Sequence, residues 1–204
     1  MTNTANYPPA YHTETDEARV YAAIEAIRHA TLLVPSESGL AVAFTPFLLD
    51  RERRVLRGHV ARRNPQSQLF DGRSVDAIFH GPHAYISPQL NDNDDVPTWN
   101  YVNVHVRGSA TGIDDEARKW AVLVDLVQVM EKDNAAAYLH GQERRLRALL
   151  PGIVAVEIAI EKLQGRFKLG RNDPRELQAK TFSALQAETP PSLRDWLETL
   201  APGS

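Results

Sequence analysis

The chain contains no cysteine. That absence excludes disulfides, zinc–thiolate centres and thiolate ligation of haem iron. No apolar run reaches eighteen residues and the N-terminus is polar, so neither a spanning helix nor a secretory leader is expected, and the expected location is the cytoplasm. An excess of positive charge is lacking too. The formal net charge is −3, and the only dense basic stretches are 51–57 and 144–147, too little for a dedicated nucleic-acid binder that must displace counterions. No P-loop, EF-hand loop or Ser–His–Asp spacing occurs, and no Gly-rich strand-to-helix turn. At 204 residues, 43% of them apolar, there is room for one sizeable domain with a small appendage.

Periodicity organises that domain. Residues 1–12 read as a polar, proline-bearing arm lying on the surface or on a partner subunit. Val20, Ile24 and Ile27 recur at helical spacing, which predicts a helix over 16–29 capped by Thr15 or Asp16. Residues 31–34 and 40–44 predict a hairpin around the turn cluster Pro35 to Gly39, and 54–61 a third strand. Two short strands, 75–79 and 84–87, are expected on either side of Gly81-Pro82, followed by a polar loop over 91–97. Val102, Val104 and Val106 then alternate with Tyr101, Asn103, His105 and Arg107, predicting a strand with one apolar and one hydrogen-bonding face.

Asp114-Asp115 opens a helix with an expected buried stripe of Trp120, Leu123, Val124 and Val127. A second helix is expected over 135–149, a long strand from Val154 towards Phe167, and polar helices over 174–187 and 192–200. Successive strands without crossover helices predict a mainly β (α+β) fold, a closed antiparallel barrel with peripheral helices. The barrel domain is expected over 1–172 and a helical tail over 173–204.

The chemistry-bearing residues gather between Gly58 and Arg107. His59 lies near a strand end, where a neutral imidazole can ligate haem iron or bond a flavin, or simply bond backbone. Arg62 and Arg63 precede Asn64 in a turn; they can clamp an anion or lie solvated. His80 and His83 resemble a metal pair, but Gly81-Pro82 breaks the helix such spacing needs. Trp99, Tyr101, His105 and Arg107 share one strand face, with Tyr85 on a neighbouring segment. Such a face suits a planar cofactor, and equally a covering helix or second subunit. Lys168, in GRFKLGRN, can reach an anionic cofactor or face solvent.

GHVARRNP, FHGPHAYISP, VPTWNYVNVHVRG and FKLGRN, in that order, resemble the PaiB family of FMN-binding negative transcriptional regulators, related to the pyridoxamine-phosphate-oxidase-like split barrels. The resemblance runs from about Tyr7 to Asn172. It implies a homodimeric split β-barrel with cofactor sites at the dimer interface. The family is also similar to the haem-dependent piperazate synthases, which close N5-hydroxy-ornithine into piperazic acid by joining its two nitrogens. On that branch the resemblance implies haem b, with His59 as the axial metal ligand. Arg62, Asn64, Arg107 and Lys168 would then hold propionates or substrate carboxylate. Trp99, Tyr101 and His105 would wall the pocket, and Tyr85, His105 and Lys168 would serve catalysis.

The other branch implies an FMN protein, either a flavin reductase or a regulator, with Arg62 and Lys168 on the phosphate. Three segments depart from the family pattern. ISPSWY reads ISPQLND, KLSQN reads KLGRN, and ASHLP reads AVAFTPF, so that a histidine gives way near Phe44 and Thr45.

Overall fold

In the computed structural model, residues 8–91 and 96–187 are described. Seven strands and four helices follow in the order β1 (Thr13–Glu14), α1 (Glu17–Ile27), β2 (His29–Ser36), β3 (Gly39–Asp50), β4 (Val55–Ala61), β5 (Asp71–Ile86), β6 (Thr98–Ile113), α2 (Glu116–Glu131), α3 (Ala135–Leu149), β7 (Ile153–Lys168) and α4 (Arg175–Ala187). The sheet order is β1-β7-β4-β3-β2-β5-β6, and β7 pairs again with β6. That second pairing closes six strands into a ring, in which β3 pairs with β2 over 39–46 and with β4 over 47–50. The mainly β, barrel-with-helices class expected from the sequence is the one observed.

Alternation fills the ring. On β6 Val104, Val106 and Ala110 are buried, and on β7 Val154, Val156, Ile158 and Ile160. They meet Leu32, Val34, Phe47, Leu56, Val75 and Phe79 in one cluster that Val20, Tyr21 and Ile24 of α1 complete. Two motif glycines owe their identity to close strand approach. A Cβ on Gly58 would lie 2.7 Å from the Pro46 carbonyl oxygen, and one on Gly108 only 2.1 Å from that of Ala159. Asp16 caps α1, accepting from the Ala18 amide at 3.0 Å, and Asp115 caps α2, accepting from Arg118 at 2.9 Å.

Four expectations are corrected. The two strands around Gly81-Pro82 are one sixteen-residue strand, β5. Its ladder with β2 ends at Phe79, so Pro82 lies beyond the stretch where β5 must donate to β2. The hairpin strands run longer than expected, leaving only Glu37-Ser38 as the turn before Gly39 at φ 117°. Arg54 is in a turn with φ 53°, and the third strand starts at Val55.

On α2 the buried stripe is Lys119, Val122 and Leu126, one or two residues away from the expected one. The reason is Lys119, whose stem is buried while its ammonium donates to Asp114 Oδ1 at 2.9 Å and the Leu150 carbonyl at 3.1 Å. Trp120 instead lies under the Arg147 guanidinium of α3, 4.2 Å from ring centroid to charge. The helix expected over 192–200 lies outside the described residues. Among those described, no helix is long and apolar enough to cross a membrane.

The described residues form two compact units. The larger holds 13–82 and 102–167, and the smaller holds 8–12, 83–91, 96–101 and 168–187.

Candidate functional site

In the larger unit, the outer sheet face carries the main candidate. On β3 the side chains opposite buried Ala43, Thr45 and Phe47 are Leu40, Val42 and Phe44, which keep 64, 49 and 68% of their surface exposed. Strand register extends this stripe sideways. Phe44, Thr31 and Ile78 lie abreast across β3, β2 and β5, and Val42, Leu33 and Asp76 form the next row. The result is an apolar patch on three adjacent strands, left largely open by the described residues. Patches of this kind mark binding surfaces.

Beyond it, Asp76 gathers two of the residues anticipated from sequence. His105 Nε2 lies 2.5 Å from Asp76 Oδ1, and Arg107 donates to both Asp76 oxygens at 2.9 and 3.2 Å. The other His105 nitrogen lies 3.3 Å from Gln164 Oε1. Burial pushes the Asp76 carboxyl up, but the bonds from Arg107 and His105 outweigh it and hold the group below the ordinary carboxylate range. Both His105 nitrogens and one edge of the Arg107 fork are therefore committed to protein partners.

His59 borders the patch on the side of β4. Its neighbours Gly58 and Val60 are buried in the barrel, so by alternation the imidazole stands on the outer face. The Thr45 hydroxyl donates to the His59 carbonyl at 2.7 Å and fixes the backbone there. Its Nδ1 is buried and has no hydrogen-bond partner, and burial lowers its pKa from the ordinary value of 6.5. The neutral imidazole is favoured, which is the form that can ligate a metal.

Arg62 and Asn64 play visibly structural parts. Arg62 donates to the Pro151 carbonyl at 2.7 Å, the Ile153 carbonyl at 3.1 Å and both carboxylate oxygens of Asp114. Hydrogen bonds from Arg62 and then Lys119 hold the Asp114 carboxyl down to about 2. Asn64 caps the 3-10 turn of Pro65–Gln68, accepting from the Gln66 amide at 3.0 Å. Arg63, by contrast, is exposed and makes no side-chain hydrogen bond or ion pair among the described residues.

In the smaller unit, Trp99 meets His83 and Tyr85, with ring centroids 6.1 and 6.0 Å apart, in a largely exposed aromatic group. Lys168 donates to the Thr98 hydroxyl. Tyr101 is half-buried. His12 has a buried, unpartnered Nδ1 and a pKa lowered by burial first and then by the Lys168 charge. No group of three His, Asp or Glu side chains able to hold a metal forms among the described residues.

Sequence reasoning missed Asp76 and the role of Asp114, the partners that engage the basic residues it singled out, and it missed the buried Lys119 that shares Asp114 with Arg62. Asp76 was detectable in principle, since it shares the period-two spacing of Ile78 and His80 on β5. Lys119 was hidden by the rule that keeps lysine out of a buried stripe.

Residues 6–162 match the family model described as "Putative FMN-binding domain". A Bacillus subtilis (strain 168) protein, protease synthase and sporulation protein PAI 2, is 26% identical over 199 residues, covering 95% of this chain and 96% of its own. Among solved structures, the flavocytochrome Anf3 from Azotobacter vinelandii superposes with a TM-score of 0.60 at 16% identity, covering 81% of this chain and 74% of that one. The FAD and heme binding protein from Mycobacterium smegmatis gives 0.59 at 16% identity, covering 82% and 79%. At such identities these two structures speak for the fold alone. With three-quarters of its length inside the family model and a PAI 2 relative along nearly all of it, the chain belongs to the PaiB-like family of FMN-binding-domain proteins.

Proposed function

We propose that this protein binds FMN on the outer face of its barrel, in the manner of a PaiB-type flavin protein, and that a second copy of the chain closes that face. The observation that carries the reading is the open apolar patch of Phe44, Val42 and Leu33 beside the His59 imidazole. A planar ring needs an apolar floor with polar groups at its rim, and both are present. The phosphate needs a cation with unused donors. Arg62 and Arg107 are engaged by carboxylates, so Arg63 is the better anchor. Bound FMN would supply electron-transfer chemistry. The chain's part would be to exclude water through Phe44 and Val42 and to present a neutral hydrogen-bonding imidazole at the rim.

A second reading puts haem b on the same face with His59 as its axial ligand. It is favoured by the depressed pKa and unpartnered nitrogen of His59, and by structural neighbours described as binding haem together with flavin. Its finer form is haem-dependent closure of N5-hydroxy-ornithine to piperazic acid. Under that form the chain would fold the diamine so that its nitrogens approach each other, an orientation effect worth several powers of ten.

The readings separate in one experiment. Purified protein is mixed with FMN and haemin together, desalted, and scanned. Retained flavin bands support the first reading. A Soret band that His59→Ala abolishes supports the second, and piperazate formation from N5-hydroxy-ornithine, followed by mass spectrometry, tests its finer form. A spectrum with neither cofactor rejects both.

A further inference from the structure

Elsewhere in the larger unit, a cleft of about 320 Å³ lies where the last turn of α1, the ends of β3 and β4 and the second half of α2 come together. Its charges are unevenly matched. Glu25 is engaged by Arg51, at 2.8 and 2.6 Å, and Asp125 by Arg57 Nη1 at 2.7 Å. Arg28, on the same wall, makes no side-chain hydrogen bond or ion pair among the described residues, and its charge reaches Glu25 only at longer range.

Two further features point into the cleft's chemistry. Arg57 Nε is buried without an acceptor, a loss that a structure ordinarily avoids. Arg28 stands at φ 57°, ψ −44°, an unfavourable backbone for a residue with a Cβ. It is held there by its amide bonding the Ile24 carbonyl at 2.8 Å and its carbonyl accepting from the Phe47 amide at 2.9 Å. Strain of this kind concentrates where a side chain has to be presented. The cation is thus displayed on pinned backbone, next to an orphaned donor, above an apolar floor of Leu48, Leu49 and Val129.

We infer that this cleft is a binding site for a small monocarboxylate with a short apolar body, its carboxylate accepting from Arg57 Nε and the Arg28 guanidinium. Two considerations select that class. One surplus cation and one unused donor match a single carboxylate, whereas Glu25 and Asp125 on the same walls repel a dianion such as phosphate. The leucine and valine floor leaves room for a phenyl or branched alkyl group and would be wasted on a bare ion.

Benzoate is a suitable probe, titrated into the full-length protein and followed by ligand-observed NMR, with benzylammonium and inorganic phosphate as controls. Saturable benzoate binding with a dissociation constant of about 1 mM is expected from one charge-assisted pair and a small apolar contact. Neither control should compete. Arg28→Gln should weaken benzoate about tenfold, the loss of one charge-assisted bond. Gln128→Glu, an exposed change on α2 that adds a repelling carboxylate to the wall, should weaken it similarly while the folded spectrum is retained. Absence of saturable benzoate binding would overturn the inference. So would equal binding of phosphate, or a benzoate affinity unchanged by both substitutions. None of these outcomes depends on FMN or haem retention, so the cofactor reading stands or falls separately.

Discussion

Replacing Phe44 by aspartate should convert the proposed dimer into a folded monomer. Phe44, Leu40 and Val42 leave 68, 64 and 49% of their surfaces in water. Full burial of such a side chain is worth about 1.5–3 kcal/mol, so covering the exposed fractions would contribute about 3–5 kcal/mol per chain. A two-fold contact counts this twice, which is comparable to the roughly 4–15 kcal/mol that association costs in lost freedom. In the proposed dimer the stripe would be the centre of the interface, with a rim supplied by neighbouring residues. Phe44 alone accounts for about 1–2 kcal/mol per copy. Losing it from both copies weakens the dimer by a factor of about 30 to 1,000, before the penalty for burying two carboxylates. Because Phe44 is exposed within the chain, the monomer fold should be untouched. Sedimentation velocity at micromolar concentration, with circular dichroism on the same samples, reads both effects. A wild-type protein that sediments as a monomer, or a Phe44→Asp variant that stays dimeric, refutes the reasoning.

Two further predictions concern the barrel itself. Lys119→Met keeps the buried stem but removes the ammonium's bonds to Asp114 and to the Leu150 carbonyl, which keeps the Ile153 amide as its donor, and should cost about 1 kcal/mol in urea unfolding; an unchanged midpoint would show the ammonium to be dispensable. His59 titrates lower in the folded chain than its ordinary 6.5, so the unfolded state binds the extra proton first. Stability should therefore be level above about pH 6.5, fall as pH drops below it, and level again below the folded value. His12 contributes in the same direction. His59→Gln should make the melting temperature less steep in pH over that window without abolishing the slope.

The barrel was legible because alternation on β6 and β7 is nearly uninterrupted; Ile113 and Ala155 break it as apolar residues buried against Val122 and Leu126 of α2. Pattern reading failed where a residue acts against type. Pro82 inside β5 looked like a strand end because pairing partners are not visible in sequence, and Lys119 in the α2 stripe looked like surface. The candidate site was legible only by residue kind. Sequence singled out His59, His105, Arg62 and Arg107. It could not say that Asp76 and Asp114, distant along the chain, consume the hydrogen-bonding capacity of three of them. Nor could it say that the substitution near Phe44, noted as a departure from the family pattern, lies in the middle of an open apolar face. Contacts across the sheet decide which polar groups remain available, and those contacts are fixed by register.

The most direct test of the account is the difference in FMN affinity between the wild-type protein and two variants, Phe44→Asp and Arg63→Ala, measured by quenching of flavin fluorescence. If the outer face of β3 holds the ring and Arg63 the phosphate, both variants should bind FMN at least about tenfold more weakly, while Arg62→Lys leaves affinity nearly intact. FMN binding that ignores the Phe44 and Arg63 changes would place the flavin elsewhere and contradict the central claim.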